Sequence, residues 1–311
     1  MKAVFCEKYG GPDVLKLIDI KKPEPKHDEV LIKIFATSVT NSDLFIRGFN
    51  IPLRYKIFMR IALGIFKPGN GIIGEVLSGE IEKVGTSVKR FKVGQKVYGL
   101  TGFSLGAYAE YKCMKVTDSK QGCIAIKPDN ITHEDATGVA YGGLLALQAL
   151  EKKSIEPGMK VLIYGASSTT GTIAIQYAKS FGAIVTAVCS STNIPLVKSL
   201  GADKVLDYND EVSCAKLDFY DIILDAVGKA KTSSLKKVCG LFLNKNGRSY
   251  SIDDEALLLK SDRLDRISVL VESGLIKPVT DRIYPLEQIV DAHRYVETGH
   301  KKGNVAIRIC E

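Results

Sequence analysis

A glycine-bounded loop between a predicted strand and a predicted helix is the part of this sequence best suited to hold a charged ligand. Residues 161–164 form a short apolar run with β-branched members, which predicts a buried strand. Gly165 ends this strand, and from Gly171 to Phe181 the apolar residues recur with helical spacing. A helix that begins at such a loop directs its first backbone N–H groups and the positive end of its dipole outward. The pattern therefore predicts a pyrophosphate site.

The spacing of this loop departs from the usual dinucleotide fingerprint. Its terminal glycines are six residues apart, and Ser168 stands where a middle glycine would be expected. Gly182 closes the helix, and residues 184–189 form a second apolar strand, so the whole is a strand, helix and strand unit of about thirty residues. By spacing alone, a crossover that binds no nucleotide is an open alternative.

The end of the second strand indicates which dinucleotide the loop would accept. An NAD site normally has an Asp or Glu about twenty residues after the first glycine, where it binds the ribose hydroxyls. Here the positions hold Cys189, Ser190, Ser191 and Thr192. A carboxylate about 4 Å from a phosphate would oppose binding by about 4 kcal/mol per charge at an effective dielectric constant near 20. Hydroxyl donors would instead favour NADPH over NADH, even though the loop has no arginine.

Composition is that of an ordinary globular protein. The 311 residues are 45% hydrophobic and 25% charged, and the net charge of +8 is too dispersed to indicate nucleic-acid binding. The seven cysteines form no CxxC pair and are odd in number, as is typical of free thiols in a reducing compartment. Because the sequence has no apolar run near about 18 residues and no signal-peptide core, we expect a cytoplasmic protein without stable membrane association.

The pattern of predicted elements changes along the chain. Residues 1–123 contain short strand-like runs between turns, which predict a small all-β barrel interrupted by a helical insertion at residues 54–66. That insertion could be a lid, a core helix or a membrane-surface helix. Beyond it, helices alternate with strands, as in a doubly wound parallel sheet. We count five strands there and no good sixth, because residues 255–271 follow one helical pattern. Residues 277–310 return to strand, helix and strand.

Three segments of the second half carry a family resemblance. They are KVLIYGASSTTGTIAIQYAKSFGAIVTAVCSSTN, SLGADKVLDY and YDIILDAVG, and outside them GGPDVLKL, SGEIEKVGTSVKRFKVGQKVYG, GAYAEY and IYPLEQIVDAHRYVETGHKKGNV belong to the same pattern. Together they resemble the zinc-independent quinone oxidoreductases (zeta-crystallin-like proteins) of the medium-chain dehydrogenase/reductase superfamily. The resemblance covers most of the chain.

The resemblance implies an α/β fold with two domains and a cleft between them that holds the active site. Residues 1–123 would form a GroES-like β-barrel catalytic domain. Residues 124–272 would form a Rossmann NADP-binding domain, whose doubly wound parallel sheet is shortened at its C-terminal edge. Residues 273–311 would return to the catalytic domain. Because the family dimer uses an edge strand in the shortened region, we expect a monomer or a non-standard dimer.

The resemblance also assigns residues to a cofactor site. Its pyrophosphate loop aligns with Ser167, Ser168, Thr169 and Thr170, and the glycines that bound this loop, Gly165 and Gly171, are candidate cofactor residues as well. Its 2′-phosphate loop aligns with Ser190, Ser191 and Thr192, an aromatic or histidine beside that phosphate with Tyr208, and the nicotinamide-ribose contact with Ala226 and Val227. Each residue alone also fits a plain structural role such as a helix cap or a strand-end aromatic, so only their joint placement favours a ligand.

The residue types at the family's metal positions argue against zinc. Zinc-dependent relatives have a cysteine and a histidine where this chain has Thr40 and Glu75, and a four-cysteine lobe that this chain lacks. Since a catalytic zinc needs about three protein ligands, mostly Cys or His, we expect no metal. The scattered histidines are expected at the surface rather than as ligands: His27, His133, His293 and His300.

A site without zinc suits acceptors that spread negative charge over their own π-system, such as quinones and α,β-unsaturated carbonyls. The resemblance implies hydride transfer from NADPH to such an acceptor, with the protein supplying orientation and exclusion of water. The candidate catalytic residues are Thr40, Asn41 and Asp43, and the candidate substrate-binding residues are Phe45 and Tyr55. Asp43 equally fits a structural hydrogen bond, and the proton donor is left open.

Two other functions fit the same resemblance. One is an enoyl-thioester reductase of the same fold. The other is a non-enzymatic NADPH-binding protein, such as a redox sensor or an RNA-associated relative. Turnover of NADPH with a simple quinone would separate the proposed enzyme from the non-enzymatic protein.

Overall fold

The computed structural model describes residues 1–49, 60, 63–69 and 71–310. Its strands are β1 (Lys2–Cys6), β2 (Leu15–Asp19), β3 (Glu29–Ser38), β4 (Val76–Val84), β5 (Lys96–Leu100), β6 (Tyr111–Lys115), β7 (Cys123–Ile126), β8 (Lys160–Tyr164), β9 (Ile184–Cys189), β10 (Lys204–Asp207), β11 (Tyr220–Asp225), β12 (Leu243–Ser251), β13 (Thr280–Pro285) and β14 (Asn304–Arg308). Its α-helices are α1 (Asn41–Gly48), α2 (His133–Leu150), α3 (Thr169–Ser180), α4 (Ile194–Ser199), α5 (Ser234–Cys239), α6 (Ser261–Glu272) and α7 (Ile289–Glu297).

The chain divides into two compact units. The first contains Met1–Ala140, Leu259–Ser268 and Thr280–Glu311. Its main sheet has the strand order β13-β14-β3-β4-β5-β7, with β6 also paired to β3, and β1 pairs with β2 in a separate ribbon. All of these pairs are antiparallel except β13 with β14. Apolar residues of β3, β4 and β5 interdigitate in one core cluster, so long-range pairing around β3 organises this unit.

The second unit contains Tyr141–Leu258 and Val269–Val279 and is built on a parallel sheet. The strand order is β10-β9-β8-β11-β12, with every pair parallel. The central strands are almost continuously buried, as expected where helices cover both faces of a parallel sheet. The five predicted strands are therefore present. The carboxyl ends of β8, β9, β10 and β11 meet at one edge, and the candidate cofactor loops follow those ends.

Several local predictions need correction. Residues 1–123 are not all-β, because α1 lies between β3 and β4. The helix predicted over residues 255–271 begins only at Ser261. Arg60 and Leu63 of the insertion are helical, whereas Phe66 is not, and its side chain is 82% exposed. Within the described residues, no helix combines the length and the apolar character needed to span a membrane.

Candidate functional site

The N-terminus of α3 is closed by a serine that also contacts a second loop. Ser168 Oγ accepts a hydrogen bond from the Gly171 N–H at 3.0 Å, which makes Ser168 the N-cap. The same hydroxyl donates to the Ala226 carbonyl at 3.1 Å. Thr169 and Thr170 complete the buried first turn. One side chain thus joins the candidate pyrophosphate loop to the candidate nicotinamide-ribose loop, residues 226–227.

The two glycines that bound this loop are required by close packing. Gly165 has a φ of 75°, and a Cβ added there would lie 2.2 Å from Val227 Cγ1. A Cβ on Gly171 would lie 2.3 Å from the Gly165 carbonyl oxygen and 2.7 Å from Ala166 Cα. The absence of side chains therefore lets the strand end, the helix start and the loop after β11 meet. The spacing of six residues reflects this geometry.

Asn193 connects the two candidate phosphate loops and was not predicted from the sequence. Its Nδ2 donates to Ser167 Oγ at 2.9 Å, while its buried Oδ1 has no hydrogen-bond partner among the described residues. On the same loop, the hydroxyls of Ser190 and Thr192 lie 3.0 Å apart. The only signal in the sequence was that an asparagine ends the hydroxyl-rich run immediately before a helix.

The fold brings a carboxylate beside this loop, although the loop itself contains none. Asp207 Oδ2 accepts from the Ser191 N–H at 3.0 Å, and its Oδ1 accepts from the Asn209 N–H at 2.9 Å. The lack of a carboxylate at residues 189–192 therefore does not keep negative charge away from this loop, because parallel pairing places the end of β10 beside the end of β9. Tyr208 follows, with its ring centroid 6.3 Å from that of Tyr164.

In the first unit, α1 begins with a capping box made by two candidate catalytic residues. Thr40 Oγ1 accepts from the Asp43 N–H at 3.1 Å and donates to Asp43 Oδ2 at 2.7 Å, and the Thr40 N–H donates to the same oxygen at 2.8 Å. Both residues are buried. Asn41 is exposed and the Phe45 side chain is 37% exposed. Tyr55 lies outside the described residues.

A buried chain of polar groups lies behind the capping box. Arg47 Nη1 contacts His293 Nδ1 at 3.2 Å, and His293 Nε2 contacts the Tyr108 hydroxyl at 3.1 Å. Arg47 also forms an ion pair with Glu297. His293 is fully buried, which corrects its expected surface position, and burial together with the Arg47 charge lowers its pKa to about 3. The imidazole is therefore neutral at physiological pH.

Two neighbouring carboxyl groups have strongly raised pKa values. Burial raises the pKa of Asp43, against the opposing effect of the Thr40 hydrogen bonds. Burial and the Asp43 charge together raise the pKa of Glu75 to about 8, opposed by a hydrogen bond with Ser42. Two carboxylates that face each other in this way cannot both ionise readily, so at neutral pH the pair retains a proton.

The donor set of this region does not fit a catalytic zinc. The Thr40 hydroxyl is occupied on both its donor and acceptor sides by Asp43, and Asp43 Oδ2 is occupied by Thr40. In the described part of the chain, no cluster of three or more His, Cys, Asp or Glu side chains has the arrangement of a metal site. Zinc sites use thiolates and imidazoles as their principal ligands, and neither type is present in the capping box.

Comparison with known proteins agrees with this architecture. Residues 26–154 match the family model described as an alcohol dehydrogenase GroES-like domain, and residues 200–307 match one described as a zinc-binding dehydrogenase. The chain is 33% identical to a 2-methylene-furan-3-one reductase of Solanum lycopersicum, over 99% of this chain and 79% of the relative. It is 32% identical, with the same coverage, to a chloroplastic NADPH-dependent alkenal/one oxidoreductase of Arabidopsis thaliana.

Among solved structures, the quinone oxidoreductase of Coxiella burnetii superposes with a TM-score of 0.83 at 27% identity, covering 100% of this chain and 99% of that one. The fold and the sequence matches together define a medium-chain dehydrogenase/reductase. Within that superfamily the chain belongs to the quinone and alkenal oxidoreductases. The family and the α/β fold with a GroES-like and a Rossmann-type part, both expected from the sequence, are confirmed.

Proposed function

We propose that this protein transfers hydride from NADPH to a quinone or an α,β-unsaturated carbonyl compound. The observation that carries the proposal is the Ser168 hydroxyl, which caps the start of α3 and holds the loop after β11 at the same point. A single junction thereby fixes two of the segments expected to bind a dinucleotide. The names of the related proteins, which include an NADPH-dependent alkenal/one oxidoreductase and a quinone oxidoreductase, support the same reaction class.

Four segments would hold the cofactor when it is bound. The first turn of α3 would hold the pyrophosphate, because helix N-termini present unpaired N–H groups to anions. Ser190, Ser191 and Thr192, with Tyr208 nearby, would hold the 2′-phosphate. Residues 226–227 would contact the nicotinamide ribose. The cofactor supplies the hydride, while these residues orient it and exclude water.

We propose NADPH as the preferred cofactor. The hydroxyls of Ser190 and Thr192 supply hydrogen-bond donors to a 2′-phosphate, and no carboxylate stands at the ribose position of the loop. Asp207 opposes this preference because it places negative charge beside Ser191. We expect NADPH to bind at least about tenfold tighter than NADH, about 1.4 kcal/mol. Equal affinities in calorimetry would remove this part of the proposal.

The candidate catalytic residues suit an acceptor that can delocalise the negative charge it gains on reduction. Thr40 and Asp43 are engaged with each other, so they stabilise α1 and orient neighbouring groups. Asn41 and Phe45 are the candidate residues with exposed surface. Because Thr40 and Asp43 offer no zinc-type donor set among the described residues, the negative charge that develops on the acceptor oxygen would be delocalised through the acceptor's own π-system. We therefore propose that the reaction does not require zinc. We also propose that the protein is a monomer or a non-standard dimer and that it is located in the cytosol.

The test is oxidation of NADPH by the purified protein with four acceptors in parallel: a simple quinone, an enone, the corresponding saturated ketone and an α,β-unsaturated thioester. We expect turnover with the quinone or the enone and little with the saturated ketone, because the ketone cannot spread the charge. An enoyl-thioester reductase would prefer a thioester substrate over both. A protein that binds NADPH but oxidises it with none of these acceptors would be a binding protein, and the proposed function would then be wrong.

A further inference from the structure

The two carboxyl groups of Asp43 and Glu75 form an unequal pair in the first unit. Asp43 is fully buried, and its Oδ2 accepts two hydrogen bonds from Thr40. Its other oxygen, Oδ1, is buried and has no hydrogen-bond partner of ordinary geometry among the described residues. Glu75 immediately precedes β4 and is partly exposed. Asp43 is thus shielded from solvent, whereas Glu75 can exchange a proton with solvent or a ligand.

The hydrogen-bond chain behind Asp43 has a definite direction. Arginine can only donate, so the contact from Arg47 leaves His293 Nδ1 as an acceptor and places the imidazole proton on Nε2. His293 Nε2–H then donates to the Tyr108 oxygen. The Tyr108 hydroxyl is left as a donor, with the Ser38 carbonyl oxygen 3.4 Å away, and a hydrogen bond with Tyr108 lowers the pKa of Asp43. The hydrogen bonds from Tyr108 and Thr40 therefore favour Asp43 as the ionised member of the pair.

The backbone fixes Glu75 against this chain. Gly74, which precedes it, has a φ of 102°, and an added Cβ would lie 2.5 Å from Tyr108 Cδ1 and 2.8 Å from the Tyr108 nitrogen. The Glu75 carbonyl accepts from the Thr101 N–H at 2.7 Å. Ser42, on the first turn of α1, forms a hydrogen bond with the Glu75 carboxyl. Both sides of the pair are thus positioned by packed elements.

We propose that Glu75 is the proton donor of the reduction and that Asp43 is a positioning residue that keeps the proton on Glu75. This inference rests on the proposed function. The hydride, with its electron pair, forms the new C–H bond at the β-carbon of the enone, and the π electrons move toward the carbonyl to give an enolate. The Glu75 O–H bond then breaks, and its proton goes to the enolate. Solvent reprotonates the Glu75 carboxylate, while the nicotinamide is left oxidised.

The test compares Glu75→Gln with Glu80→Gln, which makes the same change further along β4 and outside the acid pair. We expect Glu75→Gln to lower kcat with an enone by about 100-fold or more at neutral pH, within the range of general acid catalysis. The affinity for NADPH and the unfolding midpoint should stay at their wild-type values. The Glu80→Gln variant should retain wild-type kcat. A Glu75→Gln variant with wild-type kcat and an unchanged pH profile would overturn the inference.

The pH profile separates a proton donor from a structural residue. In the wild-type protein, kcat should fall as the pH rises through the pKa of Glu75, because only the protonated acid donates. Asp43→Asn removes the charge that raises this pKa, so the falling limb should move to lower pH. Within the described residues, the charged and titratable groups next to the pair are Arg47, Tyr108 and His293, and none is altered in this variant. If the falling limb of the Asp43→Asn profile stays at its wild-type pH, Asp43 does not keep the proton on Glu75. If the wild-type protein shows no turnover with any acceptor, the proposed function is wrong, and this result differs from one in which only the Glu75 variant behaves unexpectedly.

Discussion

Replacing Gly171 with alanine tests the close packing on which the candidate cofactor loop depends. The added Cβ would lie 2.3 Å from the Gly165 carbonyl oxygen and 2.7 Å from Ala166 Cα, and real Cβ contacts essentially never fall below 3.0 Å. Since both contacts are with backbone, the loop must move away from α3 by roughly 0.7 Å or more. Overpacking of this kind costs about 1–3 kcal/mol. The movement also stretches the 3.0 Å bond from the Gly171 N–H to Ser168.

We expect Gly171→Ala to weaken NADPH binding by at least about tenfold, or 1.4 kcal/mol, in calorimetry. Gly240→Ala is the matched control, because nothing lies within 4 Å of a Cβ added there and the backbone is already helical. It should bind NADPH normally. Ser168→Ala is a milder second variant that removes the cap and the tie to Ala226. If Gly171→Ala folds and binds NADPH with wild-type affinity, the loop does not hold the cofactor.

Two further predictions concern charge and stability. Asp207→Asn removes the negative charge beside Ser191. This variant should raise the affinity for NADPH by about threefold, on the order of 0.6 kcal/mol for an interaction near the surface. The change in affinity for NADH should be smaller. Equal changes for the two cofactors would show that the carboxylate does not interact with the 2′-phosphate. Tyr98→Phe removes a buried hydroxyl that donates to the Leu264 carbonyl at 2.7 Å. It should lower the free energy of unfolding by about 1–3 kcal/mol in denaturant titration without altering NADPH affinity, and a loss near zero would contradict the expected desolvation cost.

The strand, loop and helix of the candidate cofactor site could be predicted because their signals are local. The change from a strand to a helical period around Gly165 and Gly171 needs only neighbouring residues, and the parallel sheet follows from repetition of that unit. Asp207 could not be assigned in this way. It is 16 residues from Ser191, and only the pairing of β9 with β10 brings them together.

The candidate catalytic half was less predictable because its contacts are long-range. Arg47 and His293 are 246 residues apart in sequence, and His293 has no local pattern that distinguishes a buried imidazole from a surface one. Helix α1 did have a local signal, since Thr40 and Asp43 have the spacing of a capping box. The strand-rich surroundings hid that signal. Burial, which raises the pKa of Glu75, is a property of the folded chain alone.

The most direct measurement follows the transferred hydrogen. NADPH deuterated at C4 of the nicotinamide, on each face in turn, is incubated with the purified protein and an α,β-unsaturated ketone, and the product is examined by mass spectrometry and NMR. We predict that one of the two labelled forms delivers deuterium to the β-carbon of the saturated ketone, while the hydrogen gained at the α-carbon comes from solvent. Turnover of the enone that leaves no deuterium from either labelled form at the β-carbon would contradict direct hydride transfer by this protein.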